Sequence, residues 1–355
     1  MAERTIHLAD VAKAAGVSQG TASNVFSRPH LVRQEVRDRV VATAKALGYR
    51  GPSLKGRLLR AGKINAIGVA AAEPLSYFFN DPFARLLMTG MSEACDASAA
   101  GLALVSAINE ERLAWNIDTA LVDGLILLCI ESGARLIRLA HERRLPFVAL
   151  ELGHTDPSIS AVGIDNYAAS CLAARHIAEL GHRRVAILSL HDRREDVDAA
   201  DYADSRDRLR GYLETLSAYG VDAASVPVFP ALNNVDRVRE AMAEAFADPT
   251  PPTAILAMSD RMAIAAIDWL AERAIRVPEE VSVVGFDGIA EGETSRPPLT
   301  TVVQPIAEIG RRAVEIILGG SAGVTRELLD VRLAIRGSTG AAPDDAKRRA
   351  LALSP

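Results

Sequence analysis

The chain is sparing with the residues that would mark several common kinds of protein. It has three cysteines in 355 residues, Cys95, Cys129 and Cys171, far apart and in apolar surroundings. That excludes a disulfide framework and reads as free thiols in a reducing cytosol. No run of about eighteen apolar residues is present, so no membrane-spanning helix is expected. The N-terminal residues are polar, without the apolar stretch of an export signal. No Walker loop, HExxH helix or paired Cys-x-x-Cys occurs, and no strand-to-helix nucleophile elbow is read. The seven histidines are scattered; His176 and His182 are six apart, a spacing that does not place two ligands on one helical face. No catalytic residue, metal or cofactor is therefore expected. An enzyme, or a cytoplasmic small-molecule-binding protein of similar fold, stands as the alternative reading.

Acidic residues are scarce in one place only. Residues 1–63 carry twelve Lys/Arg and four Asp/Glu, a net +8, whereas the whole chain is −5, which leaves −13 for the remainder. Such a split describes a basic module that faces nucleic acid, attached to an acidic body. The same segment has a helical apolar pattern. Leu8, Val11, Ala12 and Ala15 share one face, Gly16 stops the helix, Val17 plugs the corner and Ser18 caps the next helix, which starts at Gln19. Ala22, Val25 and Phe26 would face inward, leaving Gln19, Gly20, Thr21, Ser23 and Asn24 outward near the helix start. A third helix with Val36, Val40, Ala44 and Leu47 closes a small core and stops at Gly48. This is the pattern of a helix-turn-helix, whose second helix enters the major groove.

From LADVAKAAGVS through LGY, INAIGV, VDGLIL, LPFVALE, AARHIAELGHRRVAIL, RLRGY, TAILAMSD, VPEEVSVVGFD and PPLTTVVQP to IRGST, the chain resembles the LacI/GalR family of bacterial transcriptional regulators. The resemblance implies a sequence-specific DNA-binding repressor controlled by a small-molecule effector, working in the cytoplasm on nucleoid DNA. It assigns phosphate contacts to Thr21, Ser23, Ser27 and Tyr49, while Ser18, Gln19, Gly20 and Asn24 lie at the recognition helix. Asn24 stands where many members have arginine or histidine, so the operator must be read differently. A hinge follows, Pro52 to Arg60, in which a leucine wedges into the minor groove and kinks the site. One count points to Leu59 and another to Leu58; Leu59 is preferred, with Arg57 beside it on the DNA. A flexible linker whose leucines pack on the body is the other reading of this stretch.

Beyond residue 63 strand-like runs, INAIGVAA, LALVSAI, GLILLCI, FVALEL, AVGI, RVAILSL, TAILAM and SVVGF, alternate with helical stretches. Aromatics are only 5% of the chain and Ala, Val, Ile and Leu dominate, as suits buried parallel strands. Such alternation predicts open α/β sheets. With it, the family resemblance implies an all-α helix-turn-helix headpiece (1–52), a hinge (53–63), an α/β periplasmic-binding-protein-like core of two Rossmann-like lobes (64–340) and a tail (341–355). It implies an N-lobe at about 64–164 and 304–327 and a C-lobe at about 165–303 and 328–340.

In such sheets ligands bind beyond the carboxyl ends of the strands. Asp287, ending a strand without an obvious partner, and Arg208 match family positions that bind effector oxygens; a guanidinium offers paired donors in fixed geometry. Glu151 stands where aspartate is frequent, and Ser259 where asparagine is. Asp260 reads as a cap of the following helix. Tyr77, Phe78, Phe79 and Phe83 could stack on a ring or belong to the core. The effector would be sugar-like or nucleoside-like. A homodimer reading a pseudo-palindromic operator is expected, because two half-sites roughly double the binding energy. The helix after Pro82, with Phe83, Leu86, Leu87 and Met88, is either part of that interface or packed within its own lobe.

Overall fold

The computed structural model describes residues 6–49, 51, 63–71, 73–106, 115–117, 119–128, 138, 141–142, 145–150, 158–190, 203–320 and 323–343. The chain divides into two units, Met1–Ile64 and Asn65–Pro355.

In the first unit, α1 (Leu8–Ala14), α2 (Gln19–Ser27) and α3 (Gln34–Ala46) surround a core of Leu8, Val11, Ala12, Ala15, Ala22, Val25, Val40 and Ala44. Gly16, at φ 65°, makes the corner that a side chain would resist. Ser18 then caps α2, its hydroxyl accepting from the Thr21 amide at 3.0 Å. His7 makes no side-chain cap of α1, but the Asp10 carboxylate accepts from the His7 amide at 2.9 Å and satisfies one donor at that end. Arg33 provides no side-chain cap for α3. Leu47 differs from expectation: it is the residue after α3 and 37% exposed, so Val40 and Ala44 hold the core with half-buried Val36. Tyr49 packs against the same core, and its ring meets Phe26 edge-on at 5.7 Å.

The second unit holds two six-stranded sheets. The strands are β1 (Ala66–Ala71), β2 (Gly101–Ser106), β3 (Gly124–Leu128), β4 (Phe147–Leu150), β5 (Ala161–Gly163), β6 (Val185–Ser189), β7 (Val228–Pro230), β8 (Ala254–Ala257), β9 (Ser282–Asp287), β10 (Thr300–Val303), β11 (Arg326–Leu328) and β12 (Arg332–Ala334). One sheet has the order β11-β5-β4-β3-β1-β2, the other β12-β10-β9-β8-β6-β7. Pairings are parallel throughout except β10 with β12. Strands β3, β6, β8 and β9 are buried along their whole length, which explains their unbroken apolar runs.

The helices described around these sheets are α4 (Tyr77–Asn80), α5 (Pro82–Ala97), α6 (Asn166–Glu179), α7 (Ala203–Ala218), α8 (Val235–Ala245), α9 (Asp260–Ala271), α10 (Ala290–Thr294) and α11 (Ile306–Gly319). Helices α5 and α11 flank the first sheet; α6, α7, α8 and α9 flank the second. The chain passes between the two lobes three times: between β5 and α6, at Gln304-Pro305 between β10 and α11, and between β11 and β12. Within α5, Leu87 is buried and Phe83, Leu86 and Met88 pack partly against the same core.

Candidate DNA-reading face and effector cleft

On the first unit, the buried side of α2 turns its other side outward. Ser18, Gln19, Gly20, Asn24 and Ser27 are exposed, and Thr21 and Ser23 half-buried. Ser18 and Thr21 hydroxyls lie 2.9 Å apart, and the Ser27 hydroxyl donates to the Ser23 carbonyl at 2.8 Å. The start of α2 therefore presents amide and hydroxyl groups on a rigid support, with no acidic residue in its first turn. That combination suits contact with base edges and phosphates. Arg57, Leu58 and Leu59 lie outside the described residues.

In the second unit, polar side chains converge at the carboxyl ends of β8, β9 and β10. Arg208, on α7 and 3% exposed, donates from Nε to Asn166 Oδ1 at 2.8 Å and from Nη1 to the Met258 carbonyl at 2.7 Å. Its guanidinium lies over the Phe286 ring at 3.9 Å. Among the described residues no carboxylate pairs with it.

Asp287, next to Phe286 and 7% exposed, has a backbone φ of 133°, a region that a side chain rarely occupies. Contrary to the expectation that it lacks an obvious partner, its Oδ1 accepts from Gln304 Nε2 at 2.9 Å. Its Oδ2 lies 3.4 Å from the Asp260 amide.

The cap expected of Asp260 is supplied by Ser259. Ser259 caps α9: its hydroxyl accepts from the Met262 amide at 3.2 Å and donates to Asn233 Oδ1 at 2.8 Å. Asp260 turns its carboxylate away from α9 to accept from the Gly288 and Ile289 amides at 2.7 and 2.8 Å, and from the Thr301 hydroxyl. Its burial raises its pKa to about 6 in spite of these donors. Tyr212, wholly buried nearby, has its phenol pKa raised by the same desolvation.

The opposite lobe supplies Tyr77, half-buried, and Phe78, which at 3% exposure is part of the hydrophobic core; Phe79 is 65% exposed. The ring expected to stack is thus buried at Phe78 and solvent-facing at Phe79. Glu151 lies outside the described residues.

Asn166, Gln304, Phe286 and Asn233 were not singled out from sequence. Asn166 and Gln304 each stand at a crossover, where a polar residue between apolar elements is the signal that could have drawn notice. His182 is buried and hydrogen-bonded between Thr253 Oγ1 at 2.9 Å and the Gly340 carbonyl at 3.1 Å, a structural role. Residues 319–323 read Gly-Gly-Ser-Ala-Gly, the letters of a GxSxG elbow. Gly319 is the last residue of helix α11 and not the end of a strand, so the strand that leads into a nucleophile elbow is missing. Among the described residues no group of His, Cys, Asp and Glu could hold a metal, and no helix is long and apolar enough to cross a membrane.

A helix-turn-helix unit joined to a two-lobed α/β body with a polar cleft defines the class of ligand-responsive DNA-binding regulators. Comparison with known proteins agrees. Residues 7–51 match the model for bacterial regulatory proteins of the lacI family, and residues 174–339 that for a periplasmic binding protein-like domain. An HTH-type transcriptional regulator of Mycobacterium tuberculosis is 36% identical, covering 96% of this chain and 98% of its own. The HTH-type transcriptional repressor CytR of Escherichia coli is 30% identical with the same coverage, 96% and 98%. Among solved structures, a transcriptional regulator CelR–cellobiose complex has a TM-score of 0.69 at 28% identity, covering 94% of this chain and 99% of that one. The Lac repressor dimer bound to operator has a TM-score of 0.75 at 23% identity, a likeness of fold, over 95% and 100%.

The chain belongs to the lacI family of bacterial regulatory proteins. It is a DNA-binding transcriptional regulator, not an enzyme. As a regulator of bacterial genes it works in the cytoplasm, where its DNA is.

Proposed function

We propose that this protein is a homodimeric repressor that reads a pseudo-palindromic operator in nucleoid DNA and responds to an oxygen-rich effector, sugar-like or nucleoside-like, in the cleft between its lobes. Operator contacts come from Ser18, Gln19, Gly20, Thr21, Ser23, Asn24, Ser27 and Tyr49, with Arg57 and Leu59 in the minor groove. Effector contacts come from Arg208 and Asp287, with Glu151, Ser259 and Tyr77 around them. Phe78 supports this wall from behind. In this reading the headpiece spans 1–52, the hinge 53–63 and the lobes 64–164 with 304–327 and 165–303 with 328–340.

The observation that carries the effector assignment is the buried Arg208. Two of its five N–H groups are engaged by Asn166 and Met258. Its remaining donors, and a charge that no carboxylate among the described residues pairs with, favour a ligand rich in oxygen acceptors. Asp287 is a complementary acceptor for ligand hydroxyls, and its strained backbone is the kind of distortion that function retains. The cellobiose complex of the CelR neighbour supports a carbohydrate. Effector binding would favour one relative lobe orientation, and DNA affinity can shift only by the effector's differential affinity for the two orientations.

The test is selection of duplex from fragmented genomic DNA by the full-length protein, followed by a thermal-shift screen of sugars, sugar acids and nucleosides. Recovery of two-fold-symmetric sites with salt-sensitive affinity, altered by a stabilising compound, is the expected result. Indiscriminate DNA recovery would overturn the proposal.

A further inference from the structure

The loops that follow β1 on one lobe and β7 on the other meet across the cleft. Asp81, only 3% exposed, divides its carboxylate between the lobes. Its Oδ1 caps α5 by accepting from the Phe83 and Ala84 amides at 3.0 and 3.2 Å. Its Oδ2 accepts from Asn233 Nδ2 at 3.2 Å, with the Arg261 guanidinium 3.7 Å away. Asn233 passes the connection on, because its Oδ1 accepts from the Ser259 hydroxyl that caps α9. Two helix caps, one in each lobe, are thereby joined through a single amide. A second pair, Arg85 with Glu291 at 2.7 Å, spans the same rim.

We propose that Asp81, Asn233 and Ser259 form a latch that holds the lobes together in the ligand-free protein, with Arg85 and Glu291 as a brace. The local backbone is bent toward this arrangement: Leu232 and Asn233 both have positive φ, 51° and 50°. Asparagine accepts that region readily; leucine does not, and it stands 42% exposed. Burial decides which contact dominates. The Arg85 and Glu291 side chains are 49% and 47% exposed, so water screens their attraction. The Asp81 carboxylate is buried, where a hydrogen bond to a charged group counts for more and losing it costs more. The latch sets a ligand-independent bias toward the joined lobes, and any effector acts on that same equilibrium. It does not depend on which residues touch the effector.

The test uses the full-length protein without ligand. Asn233→Asp keeps size and backbone tolerance but turns the donor facing Asp81 into a second carboxylate. Combining it with Asp81→Asn restores one donor and one acceptor in reversed order and leaves Oδ1 to cap α5. Amide hydrogen exchange is read by mass spectrometry in segments 79–86 and 230–236, and the radius of gyration by X-ray scattering. The single variant is expected to speed exchange in both segments about tenfold and to enlarge the radius, and the double variant to return both to near wild type. Wild-type exchange in Asn233→Asp, or a double variant as open as the single one, would overturn the latch. Should Asn233→Asp lose protection in β6 and β9 as well, it has unfolded, and Asn233→Gly, which keeps the positive φ and removes the amide without adding charge, decides. Faster exchange in 79–86 and 230–236 with β6 and β9 still protected supports the latch; wild-type exchange in both segments would reject it.

Discussion

Gln304 holds Asp287 twice: its side-chain amide donates to Asp287 Oδ1 at 2.9 Å, and its backbone amide to the Asp287 carbonyl at 2.9 Å. Gln304 sits on the crossover between β10 and α11, so the carboxylate proposed to receive the effector is tied to a segment that joins the lobes. Gln304→Ala should leave that buried carboxylate short of a donor and cost about 1–3 kcal/mol. It should also blunt the effector response as Asp287→Ala does, while operator binding without effector stays near normal. Denaturant titration and operator binding with and without the stabilising compound check this; an undiminished response in both variants would remove Asp287 from the effector site.

Arg208 should not tolerate lysine. A single ammonium cannot reproduce the Nε bond to Asn166, the Nη1 bond to Met258 and the stack on Phe286 together. Arg208→Lys is expected to weaken effector binding tenfold or more, corresponding to about 1.4 kcal/mol or more. Calorimetry on the body of the protein gives the measurement, and unchanged affinity would sink the assignment.

Asp260 makes stability depend on pH in an unusual direction for a carboxylate. Its folded pKa, about 6, lies above its ordinary value, so between those limits the folded state binds the proton more tightly than the unfolded one. This group's contribution is therefore greatest at acid pH and falls as pH rises through about 6. Asp260→Asn should abolish that slope, the wild type losing up to about 3 kcal/mol relative to the variant between pH 4 and pH 7. Unfolding free energies of both proteins across that range supply the comparison, and parallel curves would contradict it.

In the headpiece, cap and reader should separate. Ser18→Ala removes the acceptor for the Thr21 amide and is expected to cost about 1 kcal/mol of headpiece stability. Gln19→Ala, at an exposed position, should leave melting unchanged and relax sequence preference at one base pair by about 1–3 kcal/mol. Melting curves and site selection from randomised duplex distinguish the two.

Much of this was legible in the sequence because its signals are local. The Gly16 corner, the Ser18 cap and the unbroken apolar strands β3, β6, β8 and β9 follow from neighbouring residues. Strands β7, β10, β11 and β12 were not read as strands: they are three or four residues long, and in β10 the buried Thr300 and Thr301 replace apolar side chains. Position alone pointed to Arg208 and Asp287. Their partners were hidden because they come from elsewhere in the chain: Gln304 is 17 residues from Asp287, and Asn166 is 42 from Arg208. The cap of α9 was assigned to Asp260 rather than Ser259 because either residue type can cap a helix, and only the turn at Gly288 and Ile289 shows where the Asp260 carboxylate is used instead.

Helices α5 and α11 touch backbone to backbone. A β-carbon on Gly90 would fall 1.7 Å from the Ala307 carbonyl oxygen, and one on Gly310 would fall 2.3 Å from that of Leu87. Gly310→Ala should accordingly destabilise the body by several kcal/mol, well beyond the ordinary cost of a glycine replacement, as overpacking against rigid main chain does. The same intimacy makes the two helices a single stiff lever. One end carries Asp81 at the cleft rim and the other begins at the Gln304 crossover, so torque applied at either end is delivered to the other with little give between them.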